Sequence, residues 1–178
     1  MSTTEAIQAL PTGIWKSDPV HSSVGFAVQH MGVIPFRGTA SDFEAIIAGG
    51  ELVGSARVES IVTPDENLTG HLLSPEFFDA ERHPELRFES RDIQRDGGEV
   101  VVSGELTLKG VTRPVELRGA ITDPIDDPYG KRRVGLELTT TIDRTDFGID
   151  WNADLPSGGP VLANDVELTA RLELVQEA

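Results

Sequence analysis

Hydrophobic and polar residues alternate along most of this chain, and the last alternating segment shows the pattern most clearly. There, apolar or small side chains at Val166, Leu168, Ala170, Leu172 and Leu174 are separated by polar residues. Successive side chains of a β-strand point to opposite faces, so this pattern predicts a strand with one buried face and one exposed face. The same alternation predicts strands at residues 14–16, 22–30, 33–48, 51–63, 85–95, 99–109, 111–122, 131–143 and 164–176.

Turn residues separate several of the predicted strands. They lie at Gly49-Gly50, Asp96–Gly98, Lys109-Gly110 and Asp126–Gly130. Turns of this kind typically join neighbouring antiparallel strands. No long helical segment is available to cover the apolar faces, so the strands are expected to curl into a barrel or to stack as a sandwich.

Two segments interrupt the alternation. Pro64–Arg82 is compatible with short helical turns, and Arg144–Leu162 is mostly loop. The chain has seven Phe and two Trp residues, and four of these nine lie in the two segments, namely Phe77, Phe78, Phe147 and Trp151. Two interpretations of these aromatic segments stay open: they complete the core at a barrel end, or they form a lid over a cavity mouth.

Length and composition indicate a single globular domain of 178 residues and 19.2 kDa. Residues 1–12 are interpreted as a polar N-terminal arm with a short helix around Thr4–Leu10, and residues 13–178 as the β-barrel domain. The chain has no cysteine, so neither disulfides nor thiolate metal sites contribute to it. Its net charge of −15 argues against binding nucleic acid and against stable membrane insertion.

The first residues also bear on localisation. Met1–Pro11 contains no basic residue and no apolar run of signal-peptide length. Nothing elsewhere approaches the roughly 18 consecutive apolar residues of a membrane span. We therefore expect a cytoplasmic protein.

The interior of an eight-stranded barrel can be filled by side chains or can hold a ligand, depending on the size of the inward residues. Small residues recur at inward positions, such as Gly54, Ala56, Gly104 and Ala170. They leave either free volume or room for strand curvature. Strands of about 12 residues give a barrel roughly 30 Å tall, which suits an elongated apolar ligand. The apolar positions predict a lining of Phe26, Val28, Val58, Leu72, Phe88, Leu106, Leu108, Leu117, Leu138 and Ile142.

Catalytic and metal-binding motifs are absent from the sequence. There is no HxH or HExxH pair, no GxSxG turn and no phosphate-binding Gly-rich loop. We therefore predict no catalytic residue, no metal and no cofactor. His30 has inward parity and is either a hydrogen-bonded core group or a partner for a ligand headgroup. Arg144-Thr145-Asp146 either caps the helical turn that follows or steers such a headgroup.

Five segments, in order along nearly the whole chain, carry a more specific signal. They are DPVHSSVGFAVQHMG (Asp18–Gly32), HLLSPEFFDAERHPELRFES (His71–Ser90), GELTLKGVTRPVEL (Gly104–Leu117), DRTDFGIDWN (Asp143–Asn152) and DVELTARLEL (Asp165–Leu174). Together they make the chain resemble the YceI-like family of polyisoprenoid-binding proteins. The resemblance implies an all-β fold, an antiparallel lipocalin-like barrel of about eight strands with short helical segments in the connections.

The resemblance also implies a ligand and its contacts. The ligand is a polyisoprenoid, an isoprenoid quinone precursor or a fatty-acyl-like molecule, and the protein is expected to form a homodimer. The ligand-lining residues that the family motifs imply are Phe26, His30, Met31, Phe77, Phe78, Phe88, Phe147 and Trp151.

Three functions remain open at this point. The first is non-catalytic carriage or storage of a long-chain apolar lipid inside the barrel. The second is an enzyme that acts on an apolar substrate, with His30 or His83 as base, which an inward cluster of perturbed titratable groups would favour. The third is a structural protein, which a fully packed interior would favour.

Overall fold

The computed structural model describes residues 9–177, and most of the helix expected around Thr4–Leu10 lies outside them. One helix, α1, spans Glu66–Leu73, and two 3-10 turns span Val58–Ser60 and Arg144–Phe147. Within residues 9–177, no helix has the length and apolar content needed to cross a bilayer. The strands are β1 Trp15–Ser17, β2 Ser23–His30, β3 Ile34–Ala40, β4 Phe43–Ala48, β5 Glu51–Arg57, β6 Ile61–Val62, β7 Glu85–Asp96, β8 Glu99–Leu108, β9 Val111–Ile121, β10 Ile125–Asp126, β11 Arg132–Asp143 and β12 Leu162–Gln176.

These strands form one closed antiparallel barrel. β12 pairs with β11 along one edge and with both β1 and β2 along the other, which closes the ring. β1 and β2 are consecutive pieces of one barrel position, as are β3 with β4 and β5 with β6. Eleven strands therefore occupy eight positions, and the short β10 pairs only with β11. The predicted barrel is confirmed.

The sequence predicted unbroken strands at residues 33–48 and 51–63, and the structure breaks both. The breaks lie side by side and are hydrogen-bonded to each other. Ser60 Oγ accepts from the Asp42 backbone N–H at 3.0 Å, and the Ser60 carbonyl accepts from the Ser41 N–H at 3.0 Å. The Arg57 N–H donates to the Asp42 carbonyl at 2.9 Å. The two strands therefore turn a barrel corner together.

Two glycines leave room for aromatic rings to pack against the barrel wall. A Cβ placed on Gly38 would lie 2.5 Å from Cζ of Phe26, and one on Gly104 would lie 2.7 Å from Cζ of Phe88. Neither distance is compatible with a side chain, so both rings rest directly on the backbone of a neighbouring strand. These contacts place Phe26 and Phe88 inside the barrel.

Candidate functional site

The barrel encloses an apolar cavity of about 160 Å³, which we call the main cavity. Its lining comes from strands around the whole barrel and from the loop after α1. Nearly all of the lining side chains are apolar. Seven of the predicted ligand-binding residues border it: Phe26, Phe78, Phe88, Leu106, Leu108, Leu117 and Leu138.

A second apolar cavity of about 50 Å³, the small cavity, lies at the barrel end that α1 and the loop after β11 cover. Phe26, Phe78, Leu108 and Leu168 border both cavities. The rings of Phe26 and Phe78 lie with their centroids 5.8 Å apart. These four side chains therefore form the partition between the two cavities. Four further predicted residues border only the small cavity: Val28, Leu72, Phe77 and Ile142.

Three of the predicted residues lie away from both cavities on the β2–β3 side or near the corner. His30 is half-buried at the end of β2 and contacts the ring of Phe36 edge-on, with centroids 6.5 Å apart. Met31 is 44% exposed in the β2–β3 turn. Val58 is buried in a separate apolar cluster at the barrel corner. The family motifs implied His30 and Met31 as lining residues, and the apolar pattern predicted Val58, but none of the three borders either cavity.

The remaining two predicted residues, Phe147 and Trp151, belong to the loop that closes the barrel end. Phe147 is fully buried in the main core. Trp151 packs against His71 and Phe77, with ring centroids 4.9 Å and 5.4 Å away. Phe147 is part of the core and Trp151 packs against it, which favours the first interpretation of the loops, that they complete the core at a barrel end.

Cations on the β8–β9 hairpin fasten this end. Lys109 Nζ donates to the Pro75 carbonyl at 2.7 Å and to the Gly148 carbonyl at 3.5 Å. Arg113 Nε donates to the Asp146 carbonyl at 3.2 Å. One hairpin thus holds both the segment after α1 and the segment after β11 over the small cavity.

Several residues that border the main cavity were not predicted from the sequence. Those of the corner region are Ala40, Phe43, Ala45 and Ile61. Alternation was present at Phe43, Ala45 and Ile47. It would have identified the inward face of β4 if the break before Phe43 had been recognised.

Arg144 is the one charged side chain that borders the small cavity among the described residues. It is 3% exposed. Its Nε donates to the Ala163 carbonyl at 2.9 Å, and its Nη1 donates to the carbonyls of Ile149 and Trp151 at 3.0 Å and 2.8 Å. Nη2 is buried and has no hydrogen-bond partner. Burial lowers the pKa of Arg144, since desolvation disfavours the charged form.

Asp143, the residue before the predicted capping triplet, caps the 3-10 turn. Its carboxylate accepts from the Thr145 N–H at 2.9 Å and from the Thr145 hydroxyl at 2.6 Å. These bonds lower the pKa of Asp143. Arg144 instead points inward and ties the long loop to the start of β12. The capping carboxylate therefore belongs to Asp143, the residue before the triplet.

Outside the barrel, Asp18, His21 and Glu173 form a cluster whose ligand atoms lie within 4.8 Å of one another. Arg133 joins this cluster to Asp127, with its Nη1 2.9 Å from the Asp18 carboxylate and its Nε 2.8 Å from the Asp127 carboxylate. Hydrogen bonds from His21 and Arg133 hold the pKa of Asp18 well below its usual range, and Asp18 in turn raises the pKa of His21. A protein cation therefore already balances these carboxylates.

Comparison with known proteins supplies the family. A model of the YceI-like domain matches residues 15–174. The chain belongs to the YceI-like domain family. It is 34% identical to a UPF0312 protein of Pectobacterium atrosepticum over 164 residues, which cover 88% of this chain and 82% of the relative. Protein YceI of Salmonella arizonae is also 34% identical, with 88% and 83% covered.

Solved structures of other proteins superpose on the barrel. Burkholderia cenocepacia BcnA gives a TM-score of 0.69 at 19% identity and covers 90% of this chain and 99% of its own. A polyisoprenoid-binding domain from Saccharophagus degradans, implicated in plant cell wall breakdown, gives 0.68 at 15% identity and covers 92% and 98%. At these identities the likeness concerns the fold.

Proposed function

We propose that this YceI-like protein binds a long-chain apolar lipid, of polyisoprenoid or fatty-acyl type, inside its barrel and carries or stores it unchanged. The observation that carries the proposal is the apolar main cavity, enclosed by side chains from strands around the whole barrel. A site of this chemistry binds by removing apolar surface from water, at roughly 25 cal/mol per Å². The Saccharophagus neighbour, described as a polyisoprenoid-binding domain, supports the same ligand class.

The partition between the cavities bears on ligand length. The main cavity and the small cavity lie on either side of the Phe26 and Phe78 rings. A ring shift at either residue would join the two volumes into one elongated space along the barrel. An extended chain could then occupy both, each additional buried CH₂ contributing about 0.8 kcal/mol.

The composition of the lining supports carriage over catalysis. Among the described residues that border the main cavity, Glu44 is the only titratable one, and its side chain is exposed. A catalyst needs a nucleophile or base positioned by a second group. The histidines considered as bases, His30 and His83, border neither cavity. A binding protein needs only apolar burial and a small number of orienting polar groups.

The test is direct analysis of the bound lipid. Protein purified without added lipid is extracted with organic solvent, and the extract is analysed by mass spectrometry against an extract of an unrelated acidic protein. We expect a long-chain lipid near one molecule per barrel. Delipidated protein incubated with geranylgeraniol should return it chemically unchanged. Recovery of a modified lipid would favour the enzyme, and failure to bind any long-chain lipid would contradict the proposal.

A further inference from the structure

Arg144 combines burial, positive charge and an unused hydrogen-bond donor. Its three short bonds all go to backbone carbonyls, which satisfy Nε and Nη1 only. Nη2 is buried without an acceptor. Buried polar groups are nearly always hydrogen-bonded, so an unpaired donor on a buried cation requires an explanation.

No anion of the protein completes this site. Within residues 9–177, Arg144 takes part in no ion pair of 4.0 Å or less. The neighbouring carboxylate of Asp143 is directed to Thr145 instead. The other residues around the small cavity are apolar, including Val28, Leu72 and Phe77. Asp143 and Asp150 act on the guanidinium only from beyond ion-pair distance, so no carboxylate of the described residues contacts the buried cation.

We propose that the small cavity receives the polar end of the bound lipid and that Arg144 Nη2 donates a hydrogen bond to an anionic oxygen of that end. The proposal rests on the proposed function and adds the ligand class, which is an acidic lipid. A cavity of about 50 Å³ accommodates a few atoms of water size. That is room for a carboxylate or a similarly compact anion.

The arrangement also orients the ligand. With its anionic end at Arg144, the apolar chain enters the main cavity once a shift of the Phe26 or Phe78 ring joins the two volumes. An oxyanion satisfies the free donor and compensates the buried charge. A neutral end of the same size can at best accept a weaker bond and leaves the charge in place. The site therefore selects the acid over its alcohol.

The experiment compares two ligands with the same carbon skeleton, geranylgeranoic acid and geranylgeraniol, by calorimetric titration of delipidated protein. The wild-type chain should bind the acid about tenfold or more tightly than the alcohol. Millimolar acetate should not compete, since the apolar chain supplies most of the affinity. Equal affinity for acid and alcohol would overturn the inference and leave the proposed function standing. Failure of both ligands to bind would remove the proposed function itself.

Three variants locate the preference. Arg144→Met should bind acid and alcohol equally, and a folded variant that still prefers the acid would refute the inference. Because Arg144 also anchors the loop, Val28→Met provides a second test that keeps all three carbonyl bonds while filling the small cavity. It should lose the preference, whereas Val20→Met, the same change at an exposed position, should retain it. Retained preference in a folded Val28→Met protein would place the anion outside the small cavity and would refute the inference.

Discussion

The substitution Gly54→Leu tests whether ligand binding depends on free volume in the main cavity. Gly54 lies on β5 with the inward parity of Leu52 and Ala56, and it borders the cavity. A Cβ at this position would meet only the Glu44 carbonyl oxygen within 4 Å, at 3.9 Å. A leucine side chain can therefore enter the cavity without displacing the barrel wall.

The magnitude follows from the volume that the ligand loses. Leucine adds four carbons, close to one isoprene unit. Excluding about four ligand carbons at roughly 0.8 kcal/mol each weakens binding by about 3 kcal/mol, or about a hundredfold in Kd. The free energy of unfolding should rise by about 1–3 kcal/mol, because an apolar side chain fills existing space and a strand glycine is removed. Loss of affinity with a gain in stability is the distinguishing result.

The assay is calorimetric titration with geranylgeraniol, together with thermal unfolding of the ligand-free protein. Gly70→Leu is the matched control, since Gly70 is an exposed residue of α1 with open space around it. The control should bind like the wild type. Unchanged affinity in a folded Gly54→Leu protein would show that the ligand does not occupy the main cavity.

Three further predictions concern the barrel. Gly38→Ala should lower the free energy of unfolding by about 1–3 kcal/mol, because its Cβ would collide with the Phe26 ring; an unchanged denaturation midpoint would contradict this contact. Asp18→Asn should lower Tm at pH 7. Because the pKa of Asp18 is lowered in the folded protein, its carboxylate stabilises the fold at pH values above its ordinary pKa of 3.8. This stabilisation is lost as pH falls below that value. The Tm difference should therefore narrow below pH 3.8, and equal Tm values at pH 7 would exclude the contribution. Light scattering should give twice the 19.2 kDa chain mass, as expected for a homodimer; a purely monomeric species would rule that out.

Much of the barrel could be predicted from the chain because side-chain direction in a strand follows a period of two. Leu106, Leu117 and Leu138 were assigned inward by parity alone, and all three border the main cavity. The short turns Asp96–Gly98 and Lys109-Gly110 likewise indicated antiparallel neighbours. Local pattern is sufficient for these features, since each depends only on residues close together along the chain.

The positions of His30, Met31 and Trp151 could not be predicted in this way. Their motifs implied contact with the ligand, but depth in the barrel depends on where a strand ends and on what covers it. The strand breaks at Ser41-Asp42 and Val58–Ser60 depend similarly on hydrogen bonds between the two segments. Such contacts leave no periodic signal in either segment.

Alternation, turns and family motifs were thus sufficient for most of the strands, for most of the inward faces and for the family. The free volume, the Phe26–Phe78 partition and the buried environment of Arg144 were decided only by the tertiary structure. The carbonyls that bind Arg144 come from Ile149, Trp151 and Ala163, which the fold gathers around one guanidinium while leaving one nitrogen without an acceptor. A cavity and an unsatisfied donor are properties of what surrounds a residue in space, and the residue's own place in the chain does not encode them.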